Sequence, residues 1–541
     1  MEKRTLMAVI LSLLILIVYQ AWVGRHYGTA PQPRREKQKT IKKAVAPPLK
    51  PKPAPYREPD KELATAPTLQ EQLEEEVKVE TDQYIAVLTN RGGRLKSFIL
   101  KHYRRSVDRE SPAFEMISTA PGVPYPLGLQ IQRPKPFNDN GLMYKIQGGP
   151  LRLTGNAKGT LLFHARSPFG VTLTKKFTFV GSGYSIGLEV SAEGTKGQPP
   201  SLLLTSEAND KGSTKGAPFE GFLALIDSEI HREAPKALKE GKELNGPISW
   251  AGFGYTYFLF ALLPENRPGK KVTVKQKGPA LLLALESQSE EIAADKARYI
   301  LFIGPKDLDV LKAMDKGLDQ SINFGWFAFI SIPFLYVLRF SHQFTSSYGI
   351  DIILLTLIIK LLTAPLTRKS YVSMKRMQKL QPQMERIKER FKDDKEKLNK
   401  EIMELYRRNK VNPLGGCLPM LFQFPVFLGL YKALLTPIEL RHAPFMWIQD
   451  LSRPDWESLP LNLFGYHVGI PILVILMGVS MFVQQWMTPS AGDPNQRRMM
   501  LMMPVIFTAM FVTFPAGLTI YWLMNNILSI AQQYLINRKE Q

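Results

Sequence analysis

The chain has 541 residues, too many for one compact core, and 70 Lys and Arg against 48 Asp and Glu give it a formal charge of +22. Its single cysteine, Cys417, excludes an intramolecular disulfide, and the seven histidines are scattered rather than grouped at zinc-ligand spacing, so no metal and no other cofactor is expected. Hydrophobic residues make up 45%, close to a soluble average, but they are bunched at the start and in the last third, which argues against a simple soluble enzyme. The basic excess suits nucleic acid, anionic lipid or the ribosome without selecting among them; no specific nucleic-acid ligand is expected.

Residues 1–4, Met-Glu-Lys-Arg, precede an apolar run over 5–23, long enough to cross about 30 Å of hydrocarbon as a helix. The rival is a cleaved signal peptide, but Tyr27-Gly28-Thr29-Ala30 is a poor small-x-small site. An uncleaved anchor with a cytoplasmic N-terminus is the expectation. Residues 24–80, rich in Pro, Lys and Arg and then acidic at Glu74-Glu75-Glu76, read as a tether of polyproline character. The alternative is a lipid-binding basic segment, although it would emerge away from the anionic leaflet.

Over 81–305 short apolar runs are separated by turn signals. Asn90-Arg91-Gly92-Gly93 splits Gln83–Leu88 from Leu95–Leu100, and Gly181-Ser182-Gly183 splits Val171–Val180 from Tyr184–Val190. This pattern predicts a β-sandwich domain with no catalytic constellation. In the segment 306–345, Lys306–Asp319 reads as a short surface helix. The aromatic stretch Phe324–Phe340 reads as a helix lying at a membrane interface rather than crossing it.

The region 346–541 holds five apolar runs, 348–367, 418–436, 467–487, 499–514 and 518–536. Between the first two, 368–416 carries 15 Lys and Arg against 7 Asp and Glu, and Arg497 and Arg498 mark the segment 488–498. The positive-inside rule places both segments and the C-terminus in the cytoplasm, and residues 24–347 and the loop 437–466 outside. With the N-terminal anchor this makes a polytopic α-helical membrane protein of six spans with an external β-sandwich. Within 368–416, Met377, Leu380, Met384, Ile387 and Phe391 form one helical seam, and Leu398, Ile402 and Leu405 another, so a helical hairpin is expected. Its two seams either pack on each other or offer adaptable Met side chains to incoming apolar segments.

Lys360 is a cation in an otherwise apolar run, about 10 Å deep by helical rise. Thr356, Lys360, Thr363 and Thr367 recur at spacings of four, three and four and share one helix face. Thr519, Trp522, Asn526, Ser529 and Gln533 form a similar stripe in the last span, and Gln423 adds an amide. Such stripes either line a polar cavity open to the cytoplasm or are ordinary interhelical glue; the lysine alone would also be compatible with snorkelling. Several spans are short, and local thinning of the bilayer would lower the cost of moving polar chain across. A transporter coupled through Lys360 is the rival reading, but no inverted repeat supports it. An intramembrane protease lacks a motif, with neither HExxH nor GxSxG present.

Ala364-Pro365-Leu366-Thr367, Leu380-Gln381-Pro382, the run NPLGGCLP over 412–419, ELRHAPF over 439–445, MPVIFT over 503–508 and FPAGL over 514–518 resemble the YidC/Oxa family of membrane protein insertases. The match is dense over about 345–541. The anchor, tether and β domain resemble the Gram-negative YidC layout, whose periplasmic domain is a β-supersandwich. The resemblance implies a non-enzymatic insertase and folding chaperone of the bacterial inner membrane. It would act on nascent membrane proteins, alone or with the Sec translocon. A client-binding groove would involve Lys360, Thr356, Thr363, Thr367, Gln423, Trp522 and Asn526. The resemblance also implies a hydrophobic slide of Phe422, Phe424, Pro425, Phe507 and Phe511; the cytoplasmic hairpin expected from the spacing would present Met377, Leu380 and Met384. Lys360 stands where the family usually has Arg; it keeps the charge without the bidentate fork. The tail Asn537-Arg538-Lys539-Glu540-Gln541 is short, so ribosome or targeting-factor contact would fall to the cytoplasmic loops.

Overall fold

The computed structural model describes residues 64–65, 74–108, 110–117, 119, 122–132, 135–195, 200–207, 219–287, 296–409, 411, 418–463, 466–488 and 494–539. The expectations for 1–4 and 5–23, and for most of the tether, lie outside the described residues.

Alternating apolar residues build the first half. Lys158–Arg166, Thr172–Val180, Ser185–Glu193, Lys296–Pro305, Phe258–Pro264 and Lys242–Tyr255 are neighbouring antiparallel strands in a large sheet. The sheet continues through Gly269–Lys277, Ala280–Ser287 and Ser201–Glu207. In Thr172–Val180 alternate residues are buried, the period-two signature of a sheet with one face in the core. Ala113–Glu115, Arg94–Arg104, Tyr84–Thr89, Glu76–Glu80 and Leu151–Arg152 form a smaller sheet. The two sheets share one core, with the ring of Phe114 stacked on Phe258 at 4.4 Å. The turn between Tyr84–Thr89 and Arg94–Arg104 places Gly92 and Gly93 at positive φ, which a side chain would resist. The sequence expectation needs one change here. Glu76–Glu80 is a strand rather than the end of the tether, because Val77 and Val79 alternate inward and the glutamates outward.

A buried charge cluster ties the two sheets together. Asp139 is fully buried, 3.0 Å from Arg94 of the small sheet and 2.7 Å from Lys175 of the large one. It also accepts from Leu129 N and the Tyr144 hydroxyl.

Helix α1, Leu308–Ala313, is capped by Asp307, whose carboxylate accepts from Asp309 N and Val310 N. The longer helix expected over 306–319 ends early because Asp315 and Gly317 take left-handed backbone. Helix α2, Ala328–Thr345, buries Ser331, Leu335 and Leu338 and exposes Trp326 just before it and Phe329, Phe340 and Phe344 along it. Ser346 at positive φ turns the chain into α3, Tyr348–Arg390. At 43 residues α3 is about 64 Å long, so the span and the first arm of the hairpin are one helix despite Pro365 and Pro382. Helix α4, Lys395–Arg408, starts on an Asp394 cap and folds back on α3.

The remaining helices are α5 (Leu418–Leu435), α6 (Ile472–Met487), α7 (Pro494–Phe511) and α8 (Ala516–Lys539). Two expected runs shift. The run 467–487 becomes helical only at Ile472, because Tyr466–Gly469 pairs with Pro460–Leu463 as a hairpin. The run 499–514 starts at Pro494, a favoured first-turn residue, and ends at Phe511. Among the described residues α3 is the helix long and apolar enough to cross a membrane; Leu421–Leu435, Ile472–Met487 and Leu501–Phe511 are shorter apolar stretches. These helices share a second core, including Leu355, Leu430, Leu434, Met477, Leu518 and Tyr521.

Two arginines, Arg339 and Arg441, tie the two halves together. Arg339 pairs with Asp307, Asp309 and Glu439 at 3.0, 2.9 and 3.0 Å. Arg441 donates to Arg104 O at 2.6 Å and lies over the rings of Phe114 and Phe258.

Candidate functional site

The polar seam between α3 and α8 is built by two side-chain bridges. Lys360 Nζ donates to Ser529 Oγ at 2.6 Å. One turn further along each helix, Gln532 Nε2 donates to Ala364 O at 3.1 Å. Both bridges advance in the same sense, so α3 and α8 run parallel here. Lys360 is half-buried and Ser529 buried.

The threonines beside Lys360 are satisfied within their own helix. Thr356 donates to Ile352 O, Thr363 to Ile359 O and Thr367 to Thr363 O, the four-residue back-bond of hydroxyls in helices. Thr356 and Thr367 are buried, while Thr363 is half-buried. The stripe on α8 divides. Ser529 faces α3, as does Gln532, which the predicted stripe does not include, whereas Asn526 donates to Ser480 Oγ at 2.9 Å and Gln533 to Met487 O, both toward α6. The structure therefore does not bring Asn526 to Lys360; it acts as a polar contact between α6 and α8. Gln423 on α5 donates to the Tyr521 hydroxyl of α8.

Trp522 sits in an aromatic cluster, with ring centroids 5.8 Å from Phe507, 5.1 Å from Phe511 and 5.3 Å from Phe427. The expected slide splits accordingly. Phe422 and Phe424 are more than half exposed, Phe507 and Pro425 are half-buried, and Phe511 is fully buried and stacked on Phe514. Phe511 has no surface to offer a client in this conformation. In the hairpin Leu380 and Met384 are buried, with the Tyr406 hydroxyl of α4 3.2 Å from Met384 Sδ, so these two serve self-packing; Met377 is half-buried.

Sequence reasoning passed over three features. Phe427 joins the Trp522 cluster, and its three-residue spacing from Phe424 was the available signal. Ser529 belongs to the α8 stripe, but the stripe does not match it to Lys360, because register between distant helices is not legible in either one. Asp351 is fully buried in the first turn of α3, where it accepts from Thr345 Oγ1 at 2.6 Å and meets His342 Nδ1 at 2.8 Å. Its position at the end of an apolar run was the available signal.

Comparison with known proteins bears on the whole chain. Residues 340–541 match the family model of the 60Kd inner membrane protein, and residues 76–337 match that of the YidC periplasmic domain. The chain is 38% identical to the membrane protein insertase YidC of Syntrophus aciditrophicus, with 100% of each chain covered. It is 40% identical to the insertase of the same name from Pelobacter propionicus, over 99% of each. Among solved structures, an active YidC insertase crystal structure with its first transmembrane domain resolved aligns with 87% of this chain and 95% of its own, at 20% identity and a TM-score of 0.37. Two family models in tandem and full-length relatives at this identity establish that the chain belongs to the YidC family of membrane protein insertases, non-enzymatic proteins of the inner membrane with a periplasmic domain.

Proposed function

We propose that this chain inserts nascent membrane proteins by way of the α3–α8 seam, with Lys360 as the cation that draws a client's polar flank partway into the membrane. The observation that carries this reading is the half-buried ammonium of Lys360, held on a polar side chain of a neighbouring helix rather than extended along its own. An intramembrane charge is costly unless it faces protein or water, and its retention marks function. Phe422 and Phe424, exposed on α5, offer an apolar path for the client's hydrophobic segment. Thr363 and Trp522 border the route, and Gln423 braces α5 against α8.

The same reading has six spans with both termini cytoplasmic and the β domain periplasmic. The parallel course of α3 and α8 supports it, since both helices then carry their basic ends, Arg368 and Lys369 or Arg538, to one side. Clients arrive from the ribosome or a targeting factor at the basic hairpin, and some are shared with the Sec translocon. Short helices such as α6, about 24 Å by helical rise, favour local thinning of the surrounding lipid.

The test is client insertion in a strain depleted of its own insertase, or in vesicles. Lys360→Leu and Lys360→Glu should lower insertion about tenfold, the scale of one charge-assisted contact, and Lys360→Arg should be tolerated. Wild-type insertion by the leucine variant would remove the charge from the mechanism. Photo-crosslinking of a stalled client from positions 363 and 424 checks the path itself.

A further inference from the structure

Lysine at position 360 raises a problem of placement. An ammonium on a flexible four-carbon stem has no planar fork to fix its direction, and by itself it would sample many rotamers or rise toward the headgroups. The structure supplies a partner. Ser529 Oγ lies 2.6 Å from Lys360 Nζ and is itself 2.6 Å from Asn525 O, the carbonyl one turn back on α8. A hydroxyl has one proton, and here it is committed to Asn525 O. The oxygen therefore presents only lone pairs to the lysine, a fixed acceptor for a donor-only group. An ammonium carries three donors, and Ser529 engages one of them. One turn on, the Gln532 to Ala364 O bridge keeps the two helices in the register that this contact needs.

We propose that Ser529 is the positioning residue for the Lys360 ammonium, holding it across the α3–α8 seam where a client's polar flank would meet it. The inference rests on the reading of Lys360 given above. Ser529 touches no client in this scheme; it acts through the lysine. The contact also distinguishes a directed charge from a snorkelling one, because the ammonium points at a neighbouring helix.

The test is insertion of a single-span client into vesicles carrying the full chain, comparing wild type, S529A, S529T, K360L and K360L/S529A. Positioning through the ammonium predicts that S529A slows insertion by ~3- to 10-fold. It also predicts that S529T restores the rate and that S529A adds no loss in the K360L background. An unaffected S529A beside a defective K360L overturns the positioning role and leaves the reading of Lys360 standing. A loss that adds in full to that of K360L, or that S529T fails to restore, overturns it as well, since the side chain would then serve helix packing alone. Insertion by K360L at the wild-type rate defeats the reading of Lys360 and the positioning role together.

Discussion

Replacing Asp139 by Asn perturbs the centre of the β domain while leaving its shape almost unchanged. The carboxylate is fully buried and faces two buried cations, Arg94 at 3.0 Å and Lys175 at 2.7 Å, with side chains 4% and 0% exposed. Lys175 also donates to Gly92 O and Leu127 O, and Arg94 to Tyr125 O, so both cations keep neutral acceptors but lose the counter-charge they share. Removing one member of a buried ion cluster costs roughly 3–5 kcal/mol. In a domain of this size that corresponds to a fall in Tm of roughly 6–20 °C, read from the β-sheet circular dichroism of the detergent-solubilised protein. The acid limb gives a second readout. Burial alone would push the Asp139 carboxyl up, but Lys175 and Arg94 outweigh it and hold the pKa below the ordinary carboxylate range. A carboxyl lowered in the folded state contributes stability above its unfolded value, near 4, and that stability is lost as pH falls through the folded value. D139N should flatten that loss. A melting point within about 2 °C of wild type, with an unchanged acid limb, would refute the argument, because the cluster would then carry no net weight.

Two further perturbations address the join between the halves and its loop. Arg441→Ala removes the 2.6 Å bond to Arg104 O and the guanidinium over Phe114 and Phe258. Hydrogen exchange at residues 104–105 and 438–448 should rise by at least about tenfold, and unchanged exchange would show that the join does not depend on this residue. His442 has its pKa pulled down to about 4, first by burial and then by Arg441, against the weaker attraction of Asp450. The unfolded state binds its proton nearer 6.5, so stability should decline as pH falls from about 6.5 toward 4. His442→Gln should remove that part of the slope in a pH series of thermal melts.

The strands and helices were legible where periodicity had one meaning. Thr172–Val180 alternates and the turn at Gly92-Gly93 needs positive φ, so sequence and structure agree there. The signal failed where two physical readings competed. The acidic run leading into Glu76–Glu80 looked like solvated chain, yet Val77 and Val79 alternate inward within it. The start of α6 looked like part of an apolar run, but Tyr466–Gly469 pairs with Pro460–Leu463 before the helix begins. Hydropathy averages over both outcomes and cannot divide them.

The site shows why composition finds a polar face more readily than its partners. Lys360 and the stripe on α8 stood out because polar side chains in apolar runs are costly. Which of them meet is decided by the rotation and register of two helices some 170 positions apart in the chain, and the spacing within either helix is silent on both. A stripe covering an arc of α8 can serve two neighbours at once, and this one does, with Ser529 toward α3 and Asn526 and Gln533 toward α6. The threonines make the complementary point. Their hydroxyls close onto their own helix, so they lower the cost of a polar face without advertising a partner. The lysine differs, because its long stem carries the ammonium away from its own backbone, and its donors find oxygen on Ser529 of the neighbouring helix. A cation in an apolar helix needs either water or a second polar element across a seam, and for Lys360 the three-dimensional arrangement supplies the second.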